Sequence, residues 1–388
     1  MSSINFPNIN GRMEIYTTNG SPIKIEKSAS KKFNRVSFSA AHVVNDPFAD
    51  VDTSSVPAID WDATLSYRRY LGELGLGIAE AMDTAQRGMG LTWTESLELI
   101  KRTQAALSDL DVPIFNGAGT DHLLSGTQYS LDEIERAYLD QIHSIQKAGG
   151  RIILMASRAL AKSARSENDY RHIYKKALNA CDKPVILHWL GDMFDPELKG
   201  YWGTNNILDA MEVCLEVIND NLDKIDGIKI SLLDKDKEIV MRRRLPVNVK
   251  MYTGDDFNYP ELIAGDEFGY SHALLGIFDA IAPAASSALS HLANGNKDKF
   301  FEILNPTIPL SRKIFTAPTK FYKTGVVFMA YLNGHQNHMT MLAGHQSMRP
   351  LSYFIDIFKL ADQAGLLNDP DMAISRMKDL MKIYGVSR

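Results

Sequence analysis

Residues 227–233 read GIKISLL, and the alternation in that run decides the fold. Successive side chains of a strand point to opposite faces, so Ile228 and Ile230 share one face while Lys229 and Ser231 share the other. In a barrel wall the isoleucines would meet a helix layer and Lys229 would face the interior. Seven further short apolar or alternating runs surround this one, at 35–41, 77–84, 112–117, 151–157, 184–190, 248–254 and 268–274. Stretches of helical period separate them, the pattern of βα units around a parallel sheet.

The intervening helices carry their own start and stop signals. Thr92 precedes Glu95 by three positions, residues 130–147 begin SLDEIE and end at Gly149-Gly150, and residues 204–222 repeat the scheme. A hydroxyl before an acidic first turn satisfies free backbone N–H groups, and glycine closes the far end. Eight such units predict an α/β protein, a (β/α)8 TIM barrel over 35–285. Residues 1–34 read as a short N-terminal extension with short strands. Helical segments at 286–293, 297–304, 322–332, 352–364 and 369–384 predict a C-terminal helical layer over 286–388.

Composition narrows the function class. The chain has 388 residues, 47 acidic against 42 Lys plus Arg, and a net charge of −5, which excludes a nucleic-acid footprint built on bulk positive charge. Only Cys181 and Cys214 occur, with no CxxC, so neither a disulfide framework nor a thiolate metal site is expected. No run approaches the roughly 18 consecutive apolar residues of a membrane span. The first thirty residues lack a signal peptide's apolar core. A cytoplasmic protein without nucleic-acid or membrane partners is the expectation.

An inward lysine near the carboxyl end of a barrel strand stands where active sites collect. Burial disfavours the ammonium and leaves free amine to attack a carbonyl, which is Schiff-base chemistry. The alternative is a lysine that snorkels to solvent or pairs with Asp234 or Asp236.

The order of segments extends that reading. GIKISLLD, then VKMYTGDD, then FGYSHALLGIFDAIAPAASSAL and ANGNKDKFFEIL, resemble the second half of the dihydrodipicolinate synthase and N-acetylneuraminate lyase family. Upstream, IDWDATLSYRRYLGELGLGIAEAMDTAQRGMGLTWTESLELI, VPIFNGAG and KPVILHWLG follow in the same order, so the resemblance spans residues 35 to 350. The chain resembles a divergent, longer branch, of the kind described only as a domain of unknown function. The resemblance implies that Lys229 is the Schiff-base lysine, that Gly254-Asp255-Asp256 form the turn after the seventh strand, and that Pro283 is the helix proline. It implies a class I lyase, aldolase or dehydratase acting on a 2-oxo acid or sugar-derived keto compound, without cofactor or metal, as a homo-oligomer.

The chain also departs from that family. Where the family carries G-T-T-G-E, this sequence has Asp83-Thr84-Ala85-Gln86-Arg87. Thr84 keeps one hydroxyl, Ala85 offers none, and Asp83 repels a carboxylate unless paired, so hydroxylated or sugar-derived substrates fit better than pyruvate. His188 stands where the family places its proton-transferring tyrosine, and histidine performs that transfer near neutral pH. Tyr252 is a second phenol candidate. Arg87, Asn116, Gly254, Asp255 and His272 complete the expected substrate contacts with Asp83 and Thr84. His335, His338 and His345 cluster in NGHQNHMTMLAGHQ, and the i, i+3 spacing of the first two would set them on one helical face. Two rivals therefore stand: a metal-dependent barrel isomerase or hydrolase, and a catalytically silent ligand-binding or regulatory member.

Overall fold

The computed structural model describes residues 2–18, 21–23 and 33–386; of the expected extension 1–34, residues 1, 19–20 and 24–32 lie outside the described residues. Two short strands, β1 (Ser3–Pro7) and β2 (Met13–Thr17), form an antiparallel hairpin. Eight parallel strands follow: β3 (Ser37–Ala40), β4 (Gly77–Glu80), β5 (Ile114–Ala118), β6 (Arg151–Met155), β7 (Val185–Leu190), β8 (Ile225–Ser231), β9 (Lys250–Thr253) and β10 (His272–Leu275). They close in chain order, with β10 pairing back onto β3. The chain is a (β/α)8 TIM barrel with a helical C-terminal region, as the sequence predicts.

Two apolar layers hold it. Inside the barrel Phe38, Phe115, Ile153, Ile186, Tyr252 and Leu274 pack into a floor. Outside, Ile78, Leu154, Leu187, Ile228 and Ile230 meet the helices in a larger core. The alternation along β8 is therefore realised as read, isoleucines outward and Lys229 inward. The helix Leu131–Lys147 starts on the expected box, with Ser130 and Glu133 bonding each other's backbone N–H groups.

Differences from expectation sit at strand ends. The run expected as one strand over 77–84 ends at Glu80, and Asp83–Ala85 form a 3-10 turn. The eighth barrel strand begins at His272 rather than 268, because residues 266 and 269 close their own small bridge below it. A helix at Ile308–Ile314 was missed; its Pro309 sits in the first turn, where the missing N–H has no helical partner anyway.

The C-terminal layer is built around Tyr322–Leu332, a helix whose every residue is buried. A helix apolar on all sides needs neighbours all round. It lies between the short helix Ile277–Ala280 that follows β10 and the outer helix Pro370–Ile383. The N-terminal hairpin completes the layer: the Phe6 and Phe358 rings meet edge-on at 5.5 Å, and the Tyr16 hydroxyl donates to Asp362 Oδ2 at 2.7 Å. No described helix is long and apolar enough to cross a membrane.

Candidate active site at the barrel mouth

Lys229 is the third-last residue of β8 and only 8% exposed. Glycine makes room for it: a Cβ on Gly254 would stand 2.8 Å from Lys229 Cε. Burial lowers the ammonium below its ordinary value, while the Asp256 and Asp83 charges oppose that shift. His188 is its register partner on β7, with Nε2 3.3 Å from the Ser231 hydroxyl. Burial, and then the Lys229 charge, hold the imidazole well below its usual range, so at neutral pH it is uncharged, with a free ring-nitrogen lone pair. Burial pushes Asp256 up to about 7, against the backbone N–H of Ile277, which donates to Oδ1 at 2.9 Å, and against Lys229. The site thus joins an amine, a neutral imidazole and a carboxyl that exchanges its proton near neutrality.

The turn after β4 supplies the next wall. Ala81 and Gln86 adopt left-handed φ values of 53° and 62° although neither is glycine. Strain of that kind persists only where surroundings over-determine it. Here the C-terminal layer does so: the Gln86 amide donates to the Leu342 carbonyl at 3.0 Å, and the Thr84 and Tyr322 hydroxyls meet at 2.7 Å. Burial and the Asp83 charge raise the Tyr322 phenol well above its ordinary value, so it keeps its proton. Asp83 faces a cleft of about 190 Å3 that also exposes His188, Met155, Arg158 and Asp195.

Arg87 stands beside this cleft with all five N–H groups committed. Nε and Nη2 grip Asp121 at 2.7 and 2.8 Å, Nη1 reaches the Ala81 and Gly117 carbonyls, and Nη2 also meets Gln141. Burial pushes Asp121 up, but Arg87 and Gln141 outweigh it and its pKa is lowered. Arg87 buttresses the loops with no donor left for a substrate acid.

Other candidates lie away from the lysine. Register neighbours run Lys229, Tyr252, His272 around the wall, yet Lys229 is near the end of β8 while His272 opens β10. Strand stagger therefore carries that row downward. The Tyr252 hydroxyl donates to Asp226 Oδ2 at 2.7 Å, and His272 Nδ1 accepts from the Val36 N–H at 2.9 Å, both at the amino-terminal end. Asn116 faces the helix layer, donating to the Arg151 carbonyl at 2.9 Å. Asp255 caps the following turn by accepting from the Phe257 and Asn258 N–H groups at 2.8 and 3.1 Å.

The histidine segment forms no helical face, since residues 333–340 are not helical. His335 is packed against Tyr67 and Tyr70, His338 bonds Thr340, and His345 meets Phe321. Among the described residues no three His, Cys, Asp or Glu side chains are grouped to hold a metal ion. Sequence reading passed over Asp256, Tyr322 and Lys323. Asp256 was signalled as the second acid of the Gly254-Asp255-Asp256 turn; Tyr322 and Lys323 read only as the start of an apolar helix.

The family model described as protein of unknown function (DUF993) matches residues 4–386. The chain belongs to the DUF993 family. No curated protein matches this DUF993 chain. Solved structures similar to it share the barrel. A putative dihydrodipicolinate synthetase from Pseudomonas aeruginosa aligns with a TM-score of 0.63 at 15% identity, over 84% of this chain and 99% of that one. A prophage protein of Escherichia coli K12, from the dihydrodipicolinic acid synthase family and in complex with pyruvate, aligns at 0.64 and 13%, over 91% and 99%. The dihydrodipicolinate synthase of Cyanidioschyzon merolae with lysine bound aligns at 0.64 and 18%, over 87% and 100%.

Proposed function

We propose that this chain is a Schiff-base lyase, aldolase or dehydratase acting on a hydroxylated keto compound. The observation that carries the reading is Lys229, buried on the inner face of β8 at the mouth, beside neutral His188 and within the field of Asp256. The barrel shared with dihydrodipicolinate synthases supports the reaction class.

The Lys229 amine adds to the substrate carbonyl, forming a carbon–nitrogen bond. The former carbonyl oxygen, protonated by Asp256, leaves as water and the iminium remains. Electrons released when a carbon–carbon or carbon–hydrogen bond breaks at the adjacent carbon flow into the iminium and give an enamine, which in a dehydration expels the hydroxyl one carbon further on as water. His188 accepts the accompanying proton and returns it, and water then hydrolyses the imine to free Lys229. The Tyr322 phenol, held by Thr84, is the neighbouring donor for a substrate oxygen. No step needs a bound cofactor.

The test is borohydride reduction of the chain with a panel of 2-oxo acids and hydroxyketones, read by peptide mass spectrometry. The expected adduct maps to Lys229 and vanishes in Lys229→Met. Adduct formation falls as pH rises through about 7, where Asp256 loses the proton it must give, and Asp256→Asn removes that limb. A panel that gives no adduct with the folded protein overturns the reading.

A further inference from the structure

Lys323 is a second buried lysine at the mouth, brought by the C-terminal helix rather than by a barrel strand. It is 3% exposed, and among the described residues no carboxylate forms an ion pair with it. Its Nζ donates to the Lys320 carbonyl at 3.1 Å and approaches the Met89 sulfur at 3.4 Å. A buried ammonium without a counter-ion is costly unless something of opposite charge completes it.

The space in front of it is a pocket of about 370 Å3 whose lining includes Asp83, Arg158, Glu197, Lys320, Tyr322 and Lys323. This pocket shares Asp83, Arg87, Arg158, Leu190 and Asp195 with the cleft above His188, so the two are neighbouring parts of one mouth. Arg158 is already paired, its Nε 2.6 Å from Asp195 Oδ2. Asp83 acts on both lysines, opposing the lowering that burial imposes on each; the Lys323 ammonium comes down to about 8. One carboxylate thus acts on both an amine suited to a carbonyl and an ammonium suited to an anion.

Resting on the imine reading, we propose that Lys323 binds an oxyanion of the substrate, remote from the carbonyl, while Asp83 accepts hydrogen bonds from hydroxyls between the two. A carboxylate directly beside the carbonyl would meet the Asp83 charge, whereas one further along the chain, or a phosphate, reaches Lys323. The substrate class is a hydroxylated ketone bearing a terminal acid group. This places the acid on the C-terminal layer, at a residue outside the barrel strands.

The test measures half-maximal borohydride trapping at Lys229 for two matched pairs, ribulose 5-phosphate against ribulose and 4-oxopentanoate against 2-pentanone. In the reaction the carbonyl oxygen leaves as water, and hydride from borohydride reduces the imine to a secondary amine. The wild-type chain is expected to need at least tenfold less of the charged member of one pair. Preference confined to the first pair identifies a phosphate, and to the second a carboxylate. Lys323→Met should bring the ratio within about twofold, and Lys323→Arg should retain it. Equal trapping of charged and neutral ketones by the wild-type chain overturns the inference and leaves the imine reading standing. A preference that survives in Lys323→Met overturns it too. Absence of any adduct overturns both readings. Should the methionine variant not fold, the wild-type ratio and Lys323→Arg decide.

Discussion

The two ends of this barrel treat charge in opposite ways. At the amino-terminal end Asp226 is surrounded by donors: Lys250 at 2.9 Å, the Tyr252 hydroxyl at 2.7 Å and Arg151 at 3.6 Å. At the carboxyl end Lys229 and Lys323 are buried with no ion-paired carboxylate among the described residues, Asp256 is pushed toward neutrality, and His188 is kept uncharged. The same interior alternation produces both ends. Closure at the bottom secures the fold, and incomplete pairing at the top is where the proposed chemistry is located.

Arg87 is the residue by which that comparison breaks most visibly, because it stands at the open end and is bonded like the closed one. Arg87→Met removes a buried cation from Asp121 and Gln141, and the expected loss is roughly 3–5 kcal/mol in denaturant unfolding. A loss below about 1 kcal/mol, the range of exposed pairs, would mean that the guanidinium is free and belongs with the ligand groups.

Gly254 sharpens the contrast at the lysine itself. Gly254→Ala sets a methyl 2.8 Å from Lys229 Cε and 2.5 Å from the Ile230 carbonyl oxygen. Overpacking of this kind costs roughly 1–3 kcal/mol; adduct formation should fall at least tenfold while the far-ultraviolet spectrum is kept. Undiminished trapping would show that the amine reacts from some other position.

The smallest effect is expected at the bottom. Tyr252→Phe removes one of several donors to Asp226 and should cost about 1 kcal/mol of stability, with trapping at Lys229 changed less than twofold. Loss of trapping at unchanged melting temperature would move the amino-terminal end into the chemistry.

The barrel was legible because each strand needs only four to seven residues of apolar or alternating pattern, and that pattern is local. The inward facing of Lys229 and His188 was legible for the same reason, since alternation fixes facing. Height along the barrel axis was not: it depends on stagger, and so Tyr252 and His272, facing inward as Lys229 does, lie far below it. Asn116 was misplaced by its face, lying against Gly150 and the helix layer. Arg87 could not be judged from spacing, because its partners Asp121 and Gln141 come from later segments. Tyr322 and Lys323 carry no local mark at all; only the packing of a wholly buried helix against the short helix after β10 brings them to the mouth.

The hydroxyl contact between Thr84 and Tyr322 also imposes an order in time. A ribosome delivers the chain amino terminus first at about 5–20 residues per second, and Leu275, the last residue of the last barrel strand, precedes Lys323 by 48 positions. For roughly 2–10 s of synthesis at that rate, a barrel can exist whose amine-bearing strand is complete but whose outer wall has not been made. Maturation of the mouth thus waits on synthesis of the helix that carries Tyr322, and a messenger truncated after the barrel would encode a lysine without its enclosure.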